Sequence, residues 1–367
     1  MSLDTTIEDE SKNQISQALP KHFACSSLTR LSGGTANFVY RGLLSDTTKS
    51  IIIKHTKEHS ASNPNFKIDI QRCHFEEAIL RSLDSLLPYF QAGITVRTPQ
   101  LLHFDAKEDI QIVEDLPNSV DLKTFLLSSV SNGISKSSAR ALGRALGSWL
   151  RSFHDWGNSN DRSECKETLS RNQTMKDLKF WVNYTMLLDT VKNFPTILDK
   201  NRHIFEKLHD FAAAELTQKE YDDEYGIIHG DFWTGNILIP NVEAGDQLET
   251  TLFVIDWELS QIGSRALDLG QMIAELYETE LFNRSKVGVS IIEGLLQGYG
   301  HLSDRMAFRT AIHVGVHLVC WGSRVSGWGD EAQVEEVVRV GNDLIVQGWA
   351  KNKEWFDSHT LGFLFKN

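Results

Sequence analysis

The residues best suited to chemistry lie in the string HGDFWTGN, which spans residues 229–236. An apolar segment leads into Asp231, and Asn236 follows that carboxylate five residues later. Twenty residues after Asn236, a second apolar segment ends at Asp256. In phosphoryl transfer, one aspartate orients an alcohol and accepts its proton, while an asparagine and a second aspartate offer hard oxygen ligands to Mg²⁺. The spacing therefore predicts a phosphoryl-transfer site.

Each of these residues also has an ordinary structural explanation. Asp, Gly and Asn favour turns, so Asp231 or Asn236 taken singly would be explained by a connection between two strands. The complete string, together with the Asp-Trp-Glu sequence at 256–258, favours the chemical interpretation.

A glycine-containing segment near the amino terminus, SGGTAN at 32–37, lies between two predicted strands. Backbone N–H groups in such a turn can cover phosphate oxygens. Gly33, Gly34 and Asn37 are therefore candidate ATP-binding residues, although two glycines in a hairpin turn are also common without a ligand.

Lys54 and Glu76 form a second candidate pair for nucleotide binding. Lys54 closes an apolar strand, and Glu76 lies on the helix that follows. If helix and strand pack together, the glutamate can hold the lysine on phosphates; otherwise the lysine is a solvated strand end. Glu114 and Leu116 stand where a hinge would offer backbone groups to an adenine ring.

The elements that position these residues change in character along the chain. Short β-branched or aromatic segments predict strands at 28–31, 38–43, 50–55 and 110–114. Apolar residues at three-to-four spacing predict helices at 67–86, 136–156, 175–191 and 203–216. One β-hairpin is expected from segments 226–229, 237–239 and 251–255.

This order predicts an α+β fold in three parts. We expect an amino-terminal extension with a helix over residues 1–27 and a small ATP-binding lobe with an antiparallel sheet and a helix over 28–116. A larger, mainly helical lobe over 117–367 would carry the catalytic loop and the acceptor site.

Composition narrows the classes of function. The 367 residues include 37 basic and 49 acidic side chains, a net charge of −12, whereas a surface for nucleic acid or anionic lipid needs the opposite sign. No uncharged apolar run reaches the roughly 20 residues of a membrane helix, and the polar, acidic first residues do not look like a signal or transit peptide. Four scattered cysteines disfavour a zinc knuckle and favour a reducing, cytoplasmic location.

The chain resembles the aminoglycoside phosphotransferase and choline kinase-like family, which has the bilobal protein kinase fold. The resemblance covers roughly residues 28–350 and is carried by HGDFWTGN, by IDWE at 255–258 and by Asp-Leu-Gly at 268–270. It is strongest to methylthioribose kinase-like proteins, particularly fungal small-molecule kinases such as the 4-hydroxytryptamine kinase-like group. Those matches are LSGGTANFVYRG at 31–42, SIIIKH at 50–55 and NFKIDIQR at 65–72.

The resemblance implies ATP-dependent phosphorylation of a hydroxyl on a small metabolite, an amine-, indole- or sugar-type alcohol. It implies that Asp231 is the catalytic base, that Asn236 and Asp256 bind Mg²⁺, and that Lys54 with Glu76 holds the α- and β-phosphates. Glu258 replaces the glycine of a protein kinase D-F-G motif, and it can help to hold metal or substrate.

Several departures separate the chain from protein kinases. His-Gly-Asp at 229–231 replaces H-R-D, only twelve residues separate Asp256 from Asp268, and no A-P-E sequence follows. Protein substrates are therefore disfavoured, and a catalytically silent nucleotide-binding scaffold is the other alternative. Ala-Ile at 311–312 stands where methylthioribose kinases carry adjacent arginines, which disfavours methylthioribose.

Four residues are candidates for contact with the acceptor. Trp233 and Trp257 flank the catalytic positions and would either stack on a flat or cationic acceptor or fill the base of the site. Trp321 and Arg324 lie close to glycines and would either contact substrate or pack in the core.

Other polar residues have two explanations each. Glu275, Glu278 and Glu280 would attract an amine acceptor or form a solvated helix face. His313 and His317 share a helix face at i, i+4 and would bind zinc or be buried structural residues. His154 is expected to be a structural histidine that braces the catalytic loop.

Overall fold

The computed structural model describes residues 3–31, 34–218, 222–241, 250–324 and 329–366. The chain divides into two compact units. The first comprises residues 1–85 and 98–118, and the second comprises residues 86–97 and 119–367. The first unit is built on an antiparallel sheet and the second is mostly helical, so the predicted α+β class is confirmed. The assignment of ATP to the first part and of the acceptor to the second stays a prediction.

The strands of the described residues are short and fall on both units. In chain order they are β1 (Cys25–Arg30), β2 (Phe38–Leu44), β3 (Ser50–His55), β4 (Tyr89–Gln91), β5 (Ile94–Arg97), β6 (Leu101–Asp105), β7 (Ile110–Glu114), β8 (Ser119–Asp121), β9 (Tyr225–Ile228), β10 (Ile237–Pro240), β11 (Thr250–Val254) and β12 (Gln261–Ser264).

The α-helices of the described residues lie mainly in the second unit. In chain order they are α1 (Leu3–Ala18), α2 (Arg72–Leu83), α3 (Leu122–Leu127), α4 (Lys136–Asn158), α5 (Ser163–Ser170), α6 (Gln173–Phe180), α7 (Met186–Thr190), α8 (Pro195–Leu198), α9 (Arg202–Glu215), α10 (Ala266–Asn283), α11 (Val287–Tyr299), α12 (Asp304–Cys320), α13 (Glu331–Trp349) and α14 (Lys353–Asp357). No helix in the described ranges combines the length and apolar character needed to cross a membrane.

The sheet of the first unit has the order β1-β2-β3-β7-β6. Successive side chains of a strand point to opposite faces. Ile51 and Ile53 of β3 therefore share one face, where they pack in a core with Ile15 of α1. Lys54 points to the other face and meets Glu76 of α2. Strand periodicity alone thus delivers the lysine to the helix that carries its partner.

The predicted helix over 67–86 is shorter in the structure. The Asp69 carboxylate accepts a hydrogen bond from the Gln71 N–H at 2.9 Å, which closes a turn instead of a helical segment. The helix then begins at Arg72. This shift leaves Glu76 well inside the helix, so its position is not affected.

The second unit contains a mixed sheet of order β4-β5-β11-β10-β8 and a separate pair, β9 and β12. The predicted hairpin is correct only for β10 and β11, which pair antiparallel. Strand β9 pairs instead with β12, at residues 261–264, which the sequence analysis did not identify. The sequence of β12, QIGS, is short and largely polar, so it carries no clear alternation of apolar residues.

Helices α4 and α11 cross at two pairs of glycines. A methyl group built on Gly143 or Gly147 would lie 2.0 Å from a carbonyl oxygen of α11. One built on Gly294 or Gly298 would lie 2.1 Å from a carbonyl oxygen of α4. The backbones are in direct contact there, and this close approach fixes α4, which carries His154.

Helix α10 is buried around almost its whole circumference, since it contacts α11, α12 and α13. Glu275 and Glu278 are therefore buried, and the expectation of a solvated acidic face is wrong. The sequence pattern did not reveal this because charged residues are interspersed among the apolar ones on this helix.

Candidate active site

Asp268, at the start of α10, organises the loop that carries Asp231. Its carboxylate accepts the His229 N–H at 2.8 Å and the Gly230 N–H at 2.9 Å. His154 of α4 donates to the same group at 3.1 Å, which confirms the predicted bracing role of that histidine. Burial alone would raise the pKa of Asp268, but the hydrogen bonds from His154 and from the loop backbone hold this pKa below its usual value. An ionised carboxylate thus anchors the loop.

His229 links the loop to the strand that leads into Asp256. Its Nε2–H donates to the Ile255 carbonyl at 3.0 Å, and its Nδ1 accepts the Asp231 N–H at 3.2 Å. These two bonds require the neutral tautomer with the proton on Nε2. Burial lowers the pKa of His229 and favours the same neutral form.

The Asp231 carboxylate is held from both sides and remains about a quarter exposed. Its Oδ1 accepts hydrogen bonds from Lys179 Nζ at 3.2 Å and Gln271 Nε2 at 2.8 Å. Its Oδ2 accepts one from Asn236 Nδ2 at 3.1 Å. The carboxylate is therefore oriented but still accessible, as a base that approaches an alcohol must be.

Lys179 and Gln271 are site residues that the sequence analysis missed. Gln271 follows Asp268 by three residues on α10, so the helical period would have placed both on one face. Lys179 lies 52 residues before Asp231 and on a different element. Nothing in the sequence near Lys179 indicates that contact.

Asn236 and Asp256 are brought together by the pairing of β10 with β11. The side-chain NH₂ group of Asn236 donates to the Asp231 backbone carbonyl at 2.9 Å. The backbone carbonyl of Asn236 accepts the Ile255 N–H at 3.0 Å. Asp256 has a φ of +68°, a left-handed conformation that is uncommon outside glycine and is held here by the surrounding structure. Glu258 is buried two residues later, and its carbonyl accepts from Asn172 at 3.3 Å.

In the first unit, Lys54 and Glu76 form a buried ion pair. Lys54 Nζ lies 2.6 Å and 2.8 Å from the two carboxylate oxygens of Glu76. The alternative of a solvated lysine is thereby excluded for this structure. A buried lysine that is held by a glutamate is the arrangement expected of a phosphate-binding pair.

The candidate residues of the glycine-containing turn are only partly covered. Gly33 lies outside the described residues. A methyl group on Gly34 would lie 3.3 Å from a methyl group of Val39, so the turn is close to β2. The Asn37 side chain accepts a hydrogen bond from the buried guanidinium of Arg72 at 2.9 Å, which fixes the end of the turn against α2.

Glu114 is the last residue of β7, and Leu116 follows two residues later. The Glu114 carboxylate accepts the Gln100 N–H at 3.2 Å. Between these two candidates, the Asp115 side chain pairs with Arg41 of β2 at 2.8 Å. The segment is therefore anchored to the sheet of the first unit, while its contact with an adenine ring stays a prediction.

The tryptophans near Asp231 and Asp256 differ in exposure. Trp257 is completely buried against Trp149 and Phe153, and its N–H donates to the Val254 carbonyl at 3.0 Å. This matches the core-filling alternative. Trp233 is partly exposed, and the Lys123 ammonium lies 5.1 Å from its ring.

Trp321 and Arg324 lie just beyond α12. Trp321 is 39% exposed, and its N–H lies 3.3 Å from the Asn183 side-chain oxygen. Arg324 donates to the Met186 carbonyl at 3.1 Å and to the Thr190 hydroxyl at 2.7 Å. Arg324 thus supports α7, while the indole of Trp321 offers a free aromatic surface.

A buried acidic cluster lies further along α10. Glu275 contacts Lys123 at 2.9 Å and His317 at 3.1 Å, and atoms of Glu275, Glu278 and His317 lie within 4.8 Å of one another. Glu278 Oε1 has no hydrogen-bond partner in the described part of the chain. Burial, and the charge of Glu275, raise the pKa of Glu278 well above its usual value. The cluster therefore holds one buried carboxyl group, that of Glu278, which favours its neutral, protonated form.

The two histidines at i, i+4 have separate partners. His317 pairs with Glu275, whereas His313 Nδ1 accepts from the Tyr184 hydroxyl at 2.9 Å. Both histidines are buried. This agrees with the alternative of buried structural residues.

Comparison with known proteins matches residues 27–309 to the phosphotransferase enzyme family. The phosphotransferase FrzJ of Cladobotryum sp is 30% identical over 358 residues, which cover 94% of this chain and 93% of that protein. A 4-hydroxytryptamine kinase of Psilocybe cyanescens is 26% identical over 349 residues, with 93% and 92% covered.

Among solved structures, a choline/ethanolamine kinase family protein from Mesorhizobium loti has the same fold. Its TM-score is 0.52 at 15% sequence identity, and the match covers 94% of this chain and 98% of that one. The family match spans well over half of the residues and includes the Asp231 loop, Asn236 and Asp256. This chain therefore belongs to the phosphotransferase enzyme family.

Proposed function

We propose that this protein transfers the γ-phosphoryl group of ATP to the hydroxyl of a small molecule that also carries an ammonium group. The observation that carries the proposal is the Asp231 carboxylate, which is held by Lys179, Gln271 and Asn236 yet remains accessible. Asp231 would orient the acceptor hydroxyl and take up its proton. Positioning of this kind, with charge neutralisation, supplies most of the catalysis in phosphoryl transfer.

The side chains present fit Mg²⁺ and ATP. Asn236 uses its amide nitrogen to bind Asp231, so its side-chain oxygen is the atom that would bind the metal. Asp256 would supply the second ligand, and Glu258 would support either metal or substrate. Bound Mg²⁺ would neutralise charge on the phosphate oxygens. In the first unit, Lys54, held by Glu76, would bind the α- and β-phosphates, and Gly33, Gly34 and Asn37 would cover them.

The acidic cluster on α10 supports an acceptor with a positive charge. Gln271, which bonds to Asp231, is followed at four and seven residues by Glu275 and Glu278. At 1.5 Å per residue, these carboxylates lie about 6 Å and about 10 Å further along the helix axis. Lys123 and His317 already compensate Glu275. Glu278, whose raised pKa favours the neutral form, would release its proton to solvent and bind the ammonium group through its unpartnered Oε1, since a buried carboxylate is stable only beside a positive charge.

The aromatic surroundings point to the same class of acceptor. Trp321 exposes part of its ring and lies nearly parallel to the imidazole of His317, at 6.2 Å between ring centres. An exposed indole face attracts cations and flat rings. A relative is named a 4-hydroxytryptamine kinase, and that substrate carries both a hydroxyl and an amine.

The first test is ATP consumption with Mg²⁺ and a panel of acceptors. The panel contains choline, homoserine, hydroxytryptamines, an aminoglycoside, methylthioribose and neutral alcohols. We expect turnover with at least one amino alcohol, and its loss in Asp231→Ala but not in Asp210→Ala, a change at an exposed carboxylate. ATP binding without turnover on any acceptor would favour a nucleotide-binding scaffold, and phosphate transfer to protein would favour a protein kinase.

The ammonium part of the proposal has its own test in Glu278→Gln. With an amino alcohol, kcat/KM is expected to fall by about 30- to 160-fold, the equivalent of one lost charged hydrogen bond of about 2–3 kcal/mol. With a neutral alcohol of similar size, kcat/KM should stay within about twofold of the wild-type value. An equal loss on both acceptors would contradict the ammonium assignment and leave the kinase proposal intact.

A further inference from the structure

A cluster of side chains of metal-ligating type lies in the first unit, one helical turn before Glu76 on α2. The Cys73 Sγ lies 3.4 Å from Asp109 Oδ1, and His74 Nε2 lies 3.1 Å from the same oxygen. One atom from each of the three residues lies within 4.8 Å of the others. Cys73 and His74 stand in the first turn of α2, whereas Asp109 lies in the turn before β7.

We propose that Cys73, His74 and Asp109 bind a zinc ion. In a tetrahedral site with Zn–S near 2.3 Å and Zn–N or Zn–O near 2.1 Å, neighbouring ligand atoms lie about 3.4–3.6 Å apart. The two short separations here, 3.4 Å and 3.1 Å, are close to those distances. The third pair, Cys73 and His74, lies within 4.8 Å, so the His74 imidazole would move toward the sulfur by up to about 1.2 Å to complete the site.

The types of ligand select zinc over magnesium. Sulfur and imidazole nitrogen are ligands for zinc and related transition metals, whereas Mg²⁺ takes oxygen and water. Three protein ligands leave the fourth tetrahedral position for a water molecule. Binding would release the thiol proton of Cys73 to solvent, because the thiolate is the form that coordinates.

The site is open on one side. Cys73 is buried, but the side chain of His74 is 36% exposed and that of Asp109 is 18% exposed. An ion would therefore reach the sulfur from solvent by passing between the imidazole and the carboxylate. Displacement of the His74–Asp109 hydrogen bond would be the main rearrangement.

A bound ion would cross-link the elements that carry the Lys54–Glu76 pair. Glu76 follows Cys73 by three residues on α2, about one helical turn. The Asp109 carbonyl accepts the Thr56 N–H at 3.1 Å, two residues after Lys54. Zinc would thus hold the first turn of α2 against the edge of the sheet and stiffen the support of that ion pair.

The test is metal binding by the untagged full chain. We expect one zinc ion per chain by elemental analysis and calorimetry, and no uptake of Mg²⁺ at these residues. Substitution with Co²⁺ should give a sulfur-to-cobalt charge-transfer band that is absent in Cys73→Ser. Cys25→Ser is the matched control. Among the hydrogen bonds of the described residues the Cys25 thiol donates only to the Phe23 carbonyl, so its replacement should leave the band unchanged.

A second variant, His74→Ala, keeps the proposal testable if Cys73→Ser does not fold. His74→Ala changes a partly exposed side chain and should weaken zinc binding at least tenfold while the far-ultraviolet dichroism stays unchanged. The thermal midpoint of the wild type should rise with zinc, and that of His74→Ala should not. Equal zinc uptake in the wild type and in His74→Ala, or a cobalt complex without the sulfur band, would overturn the proposal.

Discussion

The anchoring role of Asp268 predicts a large effect for Asp268→Asn. One carboxylate oxygen accepts from His229 N and His154 Nε2, and the other accepts from Gly230 N. Asparagine offers a single side-chain oxygen. At best, the asparagine oxygen keeps the hydrogen bonds from His229 and His154, and the Gly230 N–H then faces the asparagine NH₂ group.

The magnitude follows from these three contacts. An unsatisfied buried donor costs about 1–3 kcal/mol, and each of the two remaining bonds loses about 1 kcal/mol of charge assistance. The free energy of unfolding should therefore fall by roughly 3–5 kcal/mol, out of a total of about 5–15 kcal/mol for a typical protein. Because the pKa of Asp268 is lowered by folding, its contribution is fully present at pH 7 and disappears only as the pH falls through that lowered pKa.

Urea denaturation at pH 7, followed by tryptophan fluorescence, measures this change. Asp210→Asn is the matched control, because Asp210 is 86% exposed and its contact with His209 is worth about 1 kcal/mol or less. The folded fraction of Asp268→Asn should also lose about 100-fold in turnover, since the loop that carries Asp231 is displaced. A loss below 1 kcal/mol in Asp268→Asn, or an equal loss in Asp210→Asn, would refute this account.

Three further predictions concern packing, pH and the site. Gly147→Ala should lower the free energy of unfolding by about 3 kcal/mol or more in a urea titration, since the new methyl group would lie 2.0 Å from a carbonyl oxygen of α11. In the control variant Gly133→Ala the new methyl group meets no atom within 4 Å, so the free energy of unfolding should change by less than about 0.5 kcal/mol. Burial, with nearby Lys57, lowers the pKa of His55 to about 4, so the unfolded chain takes up this proton at a higher pH than the folded chain does. The free energy of unfolding should therefore decrease by up to about 1.4 kcal/mol per pH unit as the pH falls from 6.5 to 4. Urea denaturation at several pH values should show a weaker dependence of this free energy on pH in His55→Gln. Lys179→Met should reduce kcat by about 100-fold with an unchanged circular dichroism spectrum, and Lys179→Arg should retain part of the rate. Full activity of Lys179→Met would contradict a role for this lysine in the reaction.

The local parts of the site were predictable because their signals are contiguous in the chain. Asp231 and Asp256 follow the apolar strands β9 and β11 by three and two residues, so each carboxylate lies just beyond a strand end wherever the rest of the chain lies. The period of β3 and the position of Glu76 on the next helix likewise predicted a lysine–glutamate pair, which the structure contains. These inferences need only the two-residue period of a strand and the 3.6-residue period of a helix.

The partners of those residues were not predictable in the same way. Lys179 reaches Asp231 across 52 residues, and Cys73 meets Asp109 across 36. The burial of Trp257 and Glu278 also depends on helices that are distant in sequence. A single sequence specifies which residues can make such contacts but not which do, because many pairings of helices satisfy the same apolar pattern.

The sequence by itself therefore determined the α+β class, the presence of the Asp231 string and the candidate pair Lys54 and Glu76. Tertiary structure alone decided which groups surround the Asp231 carboxylate and which acidic residues of α10 are buried. The physical reason is that side-chain type and local period are properties of neighbouring residues, whereas desolvation and long-range hydrogen bonds arise only when separate elements pack.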